Sequence, residues 1–257
     1  QEGALNIINE YLTTFNFPSE ESKKLTRVAL LNYCGAAILM PYKLFHKECK
    51  DKPLSKKSIE KIVKFKNAFD NKSVLQIKKI EATTNHDVKA VEYYIRNYFK
   101  KDKVLSSYIH LIHFGLTSED VNSLSYAVMI KKGISIYINE ITSLNKILNT
   151  YSKKWSNVAF LARTHGQPAS PSTLGKEFKV FASRLDREIS ILKIIKPMAK
   201  FSGATGNYHT FDIVDTKIKW SQVNKKFIKQ FAVEQNPHTT QIEPHDWIAE
   251  TCHSLEI

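Results

Sequence analysis

At 257 residues with a formal charge of +13, the chain is long enough to bury a real core, either as one large domain or as two modest ones. No apolar run approaches the roughly 20 residues that a membrane span needs, and the N-terminus lacks the order of a signal peptide, so a soluble, cytoplasmic protein without a membrane partner is expected. The charge invites a nucleic-acid reading, but only Arg27, Arg96, Arg163, Arg184 and Arg187 among the 38 basic residues are arginine, the residue that bidentate recognition favours; scattered pairs such as Lys56-Lys57, Lys131-Lys132 and Lys153-Lys154 describe a lysine-rich solvated surface, with no nucleic-acid partner expected.

Helical periodicity dominates, and no run alternates with the two-residue period of a half-buried strand over any length. Helices are expected near 21–40 and 56–70, then over 87–101, where "TTNHDVKAVEYY" sets Asn85, His86 and Asp87 at an amphipathic start. Free backbone donors and the dipole there favour an anion, and ordinary capping is the competing reading. A short helix over 104–113 precedes "FGLTSEDVNSL", where Thr117 or Ser118 is a good N-cap and Glu119 with Asp120 suits the positive end of the dipole. Hydroxyls and backbone donors could hold a ligand there, or serve capping alone. The stripe from Val121 and Leu124 through Ile138, Leu148 and Trp155 then runs for about 38 residues, a rod of roughly 55 Å.

A second stripe, Leu174, Phe178, Phe181, Leu185, Ile189, Leu192 and Ile195, follows Ser170 and Pro171, read as N-cap and first-turn residue, and ends at Pro197. "KFSGATGNYHTF" and "EQNPHTTQIEPHD" are connectors, separated by a helix near 216–233 and followed by another from Pro244. Gln241 in the second connector is placed to orient a ligand or to satisfy loop backbone. The expected fold class is all-α, a long-helix bundle whose excess apolar face is covered by other subunits, with an N-terminal helical domain over 1–110 and the bundle over 111–257.

No metal site is expected: His110 and His113 share a helical face without an acidic or thiol partner, which suits a core or interface role, while Cys34, Cys49 and Cys252 lack zinc or redox spacing. "GATG" lacks the preceding strand of a dinucleotide or phosphate loop, so no cofactor is expected. His165, between Thr164 and Gly166 on a constrained loop before a long helix, could be held toward a site or buried as a structural histidine.

Four stretches in this order, "TTNHDVKAVEYY" (83–94), "HFGLTSEDVNSLSYA" (113–127), "RTHGQPASPSTLGKE" (163–177) and "GATGNYHTF" through "NPHTTQIEPHDWIAE" (203–250), together resemble the adenylosuccinate lyase family of the fumarase/aspartase superfamily. The resemblance implies a homotetramer with sites built from several chains and a cofactor-free β-elimination in purine biosynthesis. Adenylosuccinate would give AMP and fumarate, and the succinylated aminoimidazole carboxamide ribotide would lose fumarate likewise. It further implies His165 as general acid on the Thr164-bearing loop, and His86 with Asn85 and Asp87 contacting nucleotide or orienting the succinyl group. Thr117 and Ser118 would hold a succinyl carboxylate, and Gln241 would bind substrate. The family's Ser-Ser-x-Met-Pro-x-Lys-x-Asn-Pro segment, whose serine resembles the base, and its N-terminal Asp-Gly-Arg-Tyr stretch are absent from the 257 residues, and 1–70 align poorly. An incomplete portion of the enzyme is therefore expected. The competing readings are an inactive helical assembly, a nucleic-acid-binding module and a related fumarate-releasing lyase.

Overall fold

The computed structural model describes residues 55–214 and 217–257; the expected helix near 21–40, Cys34 and Cys49 lie outside them. Two compact units emerge. The first holds the described residues up to Met129 together with Met198–Pro244, and the second holds Ile130–Pro197 and His245–Ile257.

The first unit opens with α1 (Lys56–Asn67), capped by the Ser55 hydroxyl, and α2 (Asn71–Thr84). α2 lies between the helices expected over 56–70 and 87–101. Its start is encoded in a capping box, in which the Asp70 carboxylate accepts from the Ser73 amide while the Ser73 hydroxyl accepts from the Asp70 amide. Asn85 ends α2 in the left-handed conformation at φ 49°, and His86 begins α3 (Asp87–Phe99). Over 104–113 the chain forms a 3-10 helix, Leu105–Leu111, started by the Asp102 carboxylate accepting from the Val104 and Leu105 amides. Ile62, Ile77, Val91, Ile95, Phe99, Leu105 and Val121 close the core that these helices share.

α4 (Ser118–Lys154) starts in this unit and realises the expected rod, its 37 residues measuring about 55 Å. Beyond Met198 the chain returns to the first unit through β3 (Met198–Ala199), α6 (His209–Val214), α7 (Trp220–Lys229) and β4 (Glu234–Gln235), which pairs parallel to β3. The helix expected over 216–233 is thus shorter. Phe201 against Phe227, and Phe211 against Trp220, form its aromatic packing at 4.9 and 5.6 Å between ring centres.

In the second unit, "AFLARTHGQPASPST" is an antiparallel hairpin of β1 (Ala159–Thr164) and β2 (Gln167–Thr173). The N-cap expected at Ser170 with Pro171 is corrected: both residues lie in β2, and Thr173 caps α5 (Leu174–Ile194) by accepting from the Lys176 amide. The hairpin is exposed along most of both strands, so no apolar alternation marks it in the sequence. α5 docks on the end of α4 through Tyr151, Trp155 and Phe178, with Tyr151 and Trp155 stacked 4.6 Å apart, and through Asn145, which donates to Asp186. α8 (Asp246–Glu256) packs against α5. Leu144, Ile147, Phe181 and Ile194 stay exposed on the two long helices.

Gly175 permits the α4–α5 junction. Its amide donates to Trp155 O, and a Cβ there would lie 2.2 Å from Ser152 O and 2.7 Å from Ser156 N. Gly175→Ala should therefore cost about 1–3 kcal/mol through overpacking against backbone that cannot rotate away. Thermal denaturation of the two proteins measures this, and an unchanged midpoint would show that the junction yields freely.

Candidate active site

Three sequence-distant segments of the first unit meet at the start of α4. From the α2–α3 corner comes His86, whose Nδ1 accepts from the Lys89 amide at 3.3 Å and so acts as the N-cap of α3. In the neutral ring this leaves the proton on Nε2, which lies 3.3 Å from Ser118 Oγ and donates to it. Ser118 can then direct its own hydroxyl proton elsewhere. Protonation of the ring would instead turn Nδ1–H toward Asp87 Oδ1, also 3.3 Å away, at the expense of the cap. Asp87 itself accepts from the Val88 amide, and Asn85 is exposed with its amide bonded to Glu81 O.

From the 236–243 connector, Gln241 Nε2 donates to Thr117 Oγ1 at 3.4 Å, and the Glu243 amide donates to Glu119 Oε1 at 3.4 Å. Glu243 is buried and accepts from Asn236, which fixes the connector's far end. His86, Thr117, Ser118 and Gln241 are therefore brought together, with Asn85 and Asp87 on the same corner as His86.

The third segment runs from Lys200 to Gly203, and it is held by Asp120. This carboxylate is wholly buried beside Lys200 Nζ at 2.8 Å. It also accepts from the amides of Thr117, Ser202 and Gly203. Lys200 Nζ in turn donates to Gly203 O, and Ser123 Oγ exchanges hydrogen bonds with the Lys200 backbone. From sequence, Asp120 suits the positive end of the helix dipole and Lys200 is one more lysine in a lysine-rich chain. The signal for the pair, an acidic residue three after the N-cap, is that of a capping box, and nothing in the sequence points to its lysine partner.

His113, read from the sequence as a core or interface histidine, stands half-buried at φ 64°, with Nδ1 lacking a hydrogen-bond partner among the described residues. Burial holds its imidazole below the ordinary histidine value, while Glu92 and Asp120 oppose the shift and Lys89 and His86 add to it. Glu92 is itself buried between Lys89 and Arg96, at 2.7 and 2.8 Å.

Thr164 and His165 lie in the second unit. His165 at φ 51° and Gly166 at φ 74° are the central pair of a two-residue turn whose positive φ values match the twist of a hairpin. The constraint legible around His165 is thus a tight hairpin turn, and the imidazole stands exposed at its tip. Six non-glycine positions among the described residues have positive φ, and Asn85, His113, His165, Tyr208 and His245 fall within the quoted motif letters themselves. Such concentration of left-handed backbone is a mark of functional loops.

The profile of a family described as lyase matches residues 10–257. The chain belongs to that lyase family. Among its relatives are the adenylosuccinate lyases of Buchnera aphidicola subsp. Acyrthosiphon pisum, 43% identical over 73% of this chain and 42% of the relative, and of Legionella pneumophila (strain Corby), 43% identical over 71% and 40%. The Escherichia coli (strain K12) adenylosuccinate lyase is 39% identical over 71% and 40%. The chain spans about two fifths of the length of these relatives. A solved fumarate lyase from Mesorhizobium sp. BNC1 superposes with a TM-score of 0.70 at 18% identity, covering 90% of this chain and 53% of that one. The β-carboxy-cis,cis-muconate cycloisomerase of Acinetobacter calcoaceticus sp. ADP1 gives 0.69 at 17%, covering 95% and 55%. The chain shares its long-helix fold with these two structures. No helix among the described residues is long and apolar enough to cross a membrane.

Two measurements test the geometry. His86→Ala removes the cap of α3 and should cost about 1 kcal/mol, whereas His86→Asn keeps a capping acceptor and should lose little stability; equal denaturation midpoints for the two variants would contradict the capping role. For His113, the folded pKa lies below the unfolded one, so the unfolded chain binds more protons as pH falls. Its share of stability is complete above the unfolded value of about 6.5 and lost on acidification below it. His113→Asn, which tolerates the positive φ, should therefore flatten the fall in thermal midpoint between about pH 7.5 and 5.5.

Proposed function

We propose that this chain carries the general acid and part of the substrate pocket of an adenylosuccinate lyase, which releases fumarate from adenylosuccinate to leave AMP and from the succinylated aminoimidazole carboxamide ribotide likewise. The observation that carries the reading is the meeting of His86, Thr117, Ser118 and Gln241 at one helix start. The 43% identity to relatives named adenylosuccinate lyase supports the choice of substrate.

β-Elimination needs a base for the succinyl Cβ proton, grips for the carboxylate that takes up the developing charge, and an acid for the departing nitrogen. Thr117 and Ser118, at the positive end of α4, are suited to hold that carboxylate, which gains negative charge as the Cβ proton leaves. Because Nε2–H of His86 already donates to Ser118, the serine proton is available to the ligand. Gln241 orients the Thr117 hydroxyl and contacts substrate, while Asn85 and Asp87 extend the corner toward the nucleotide. His165, presented by its hairpin turn with Thr164 beside it, delivers the proton to the purine-side nitrogen. The base comes from the serine loop that is absent from these 257 residues. In this reading the exposed apolar residues of α4 and α5 pack in a cytoplasmic homotetramer.

The chain alone should release little or no fumarate. Mixed with a full-length adenylosuccinate lyase that lacks its acid histidine but keeps the serine loop, it should restore turnover, and His165→Ala in this chain should abolish the recovery. Robust turnover by the chain alone would contradict the assignment of the base. Failure of AMP to raise the thermal midpoint, combined with salt-sensitive binding to a DNA duplex, would favour a nucleic-acid module instead.

A further inference from the structure

A lysine and an aspartate with no exposed surface are an expensive way to hold two segments together. Removing each ion from water costs several kcal/mol, and apolar residues of similar volume often replace such pairs without loss of stability. The Asp120–Lys200 pair is nonetheless densely bonded. Oδ1 receives Lys200 Nζ and the Ser202 and Gly203 amides, Oδ2 receives the Thr117 amide, and a second N–H of the ammonium donates to Gly203 O. What the pair fixes is location. It holds the amide of Thr117, immediately before the Ser118 that His86 contacts, at a set distance from Ser202, whose hydroxyl lies 3.4 Å from Thr239 Oγ1 in the connector that carries Gln241.

We infer that Asp120 and Lys200 are positioning residues for the substrate grip: they set the Thr117–Ser118 helix start in register with the Gln241 connector, and a neutral pair that keeps an acceptor for the Ser202 and Gly203 amides can recover the fold but not that register. The inference rests on the proposed function for the identity of the ligand, and on the bonding around Asp120 for the register itself. Neither residue touches substrate in this account. A node of four donors, three amides and one ammonium, on one carboxylate specifies relative position in a way that a neutral asparagine–methionine pair, which cannot hold all three amides, does not.

The test uses the 257-residue chain with Asp120→Asn, Lys200→Met and the double variant Asp120→Asn/Lys200→Met, in which the asparagine Oδ1 still accepts from the Ser202 and Gly203 amides but the tie to the Thr117 amide is lost, titrated with fumarate in the presence of AMP. Amide exchange at Thr117, Ser118, Ser202 and Gly203 is followed in parallel. Each single variant strands a buried group and should be strongly destabilised. The double variant should regain most of the thermal midpoint yet bind fumarate about tenfold or more weakly, with faster exchange at the four amides. Parental affinity and parental exchange in a folded double variant would overturn the inference. So would a double variant that does not fold, because the pair would then serve stability itself. Should the parent take up no AMP or fumarate, the functional reading fails while exchange at the four amides still decides the positioning role.

Discussion

The start of α4 depends on a carboxylate that never reaches water. Asp120 lies in the first turn of the helix, where the dipole favours it, and its two oxygens are consumed by one ammonium and three backbone amides. Those amides would otherwise be buried donors without acceptors, each worth about 1–3 kcal/mol in lost solvation. The turn at 115–118 and the 200–203 segment consequently have one arrangement that satisfies all of them, and the 236–243 connector joins it through Thr239 to Ser202 and Gln241 to Thr117. Thr117 and Ser118 next to that node, met by Gln241 and His86, are the side chains to which the proposed function gives a carboxylate ligand.

Much of the fold follows from the sequence because long amphipathic helices declare themselves. The stripe from Val121 predicts α4 to within a residue or two, and Leu174 to Leu192 predicts the body of α5. The elements that escape share a physical reason, namely that hydropathy does not place them. The β1–β2 hairpin has both faces largely exposed and small or polar residues along β2, so it carries no two-residue alternation, and Pro171, a good helix-start residue, sits in a strand. α2 is separated from α1 by a capping box built with serine in place of the usual Glu or Gln. Over 104–113 the apolar spacing suits an α-helix, but Asp102 caps a tighter 3-10 turn.

The candidate site was legible as four polar clusters, and the resemblance linked them. Their hydrogen bonds were not legible. His86 reads as a residue at a helix start, and only coordinates show that its Nδ1 caps α3 while Nε2 faces Ser118, 32 positions away. Lys200 reads as one more cation in a lysine-rich chain, since burial and its distant partner, 80 residues earlier, leave no local mark. For His165 the sequence conveys constraint, and the structure supplies its form, a left-handed residue at the tip of a hairpin.

The most direct measurement is an experimental structure of the chain with fumarate and AMP bound. A fumarate carboxylate within hydrogen-bonding distance of Ser118 Oγ and the α4 amides, with Asp120 still receiving the Ser202 and Gly203 amides, is the predicted result. Fumarate bound elsewhere, or an Asp120 side chain turned away from Lys200 toward solvent, would contradict the account.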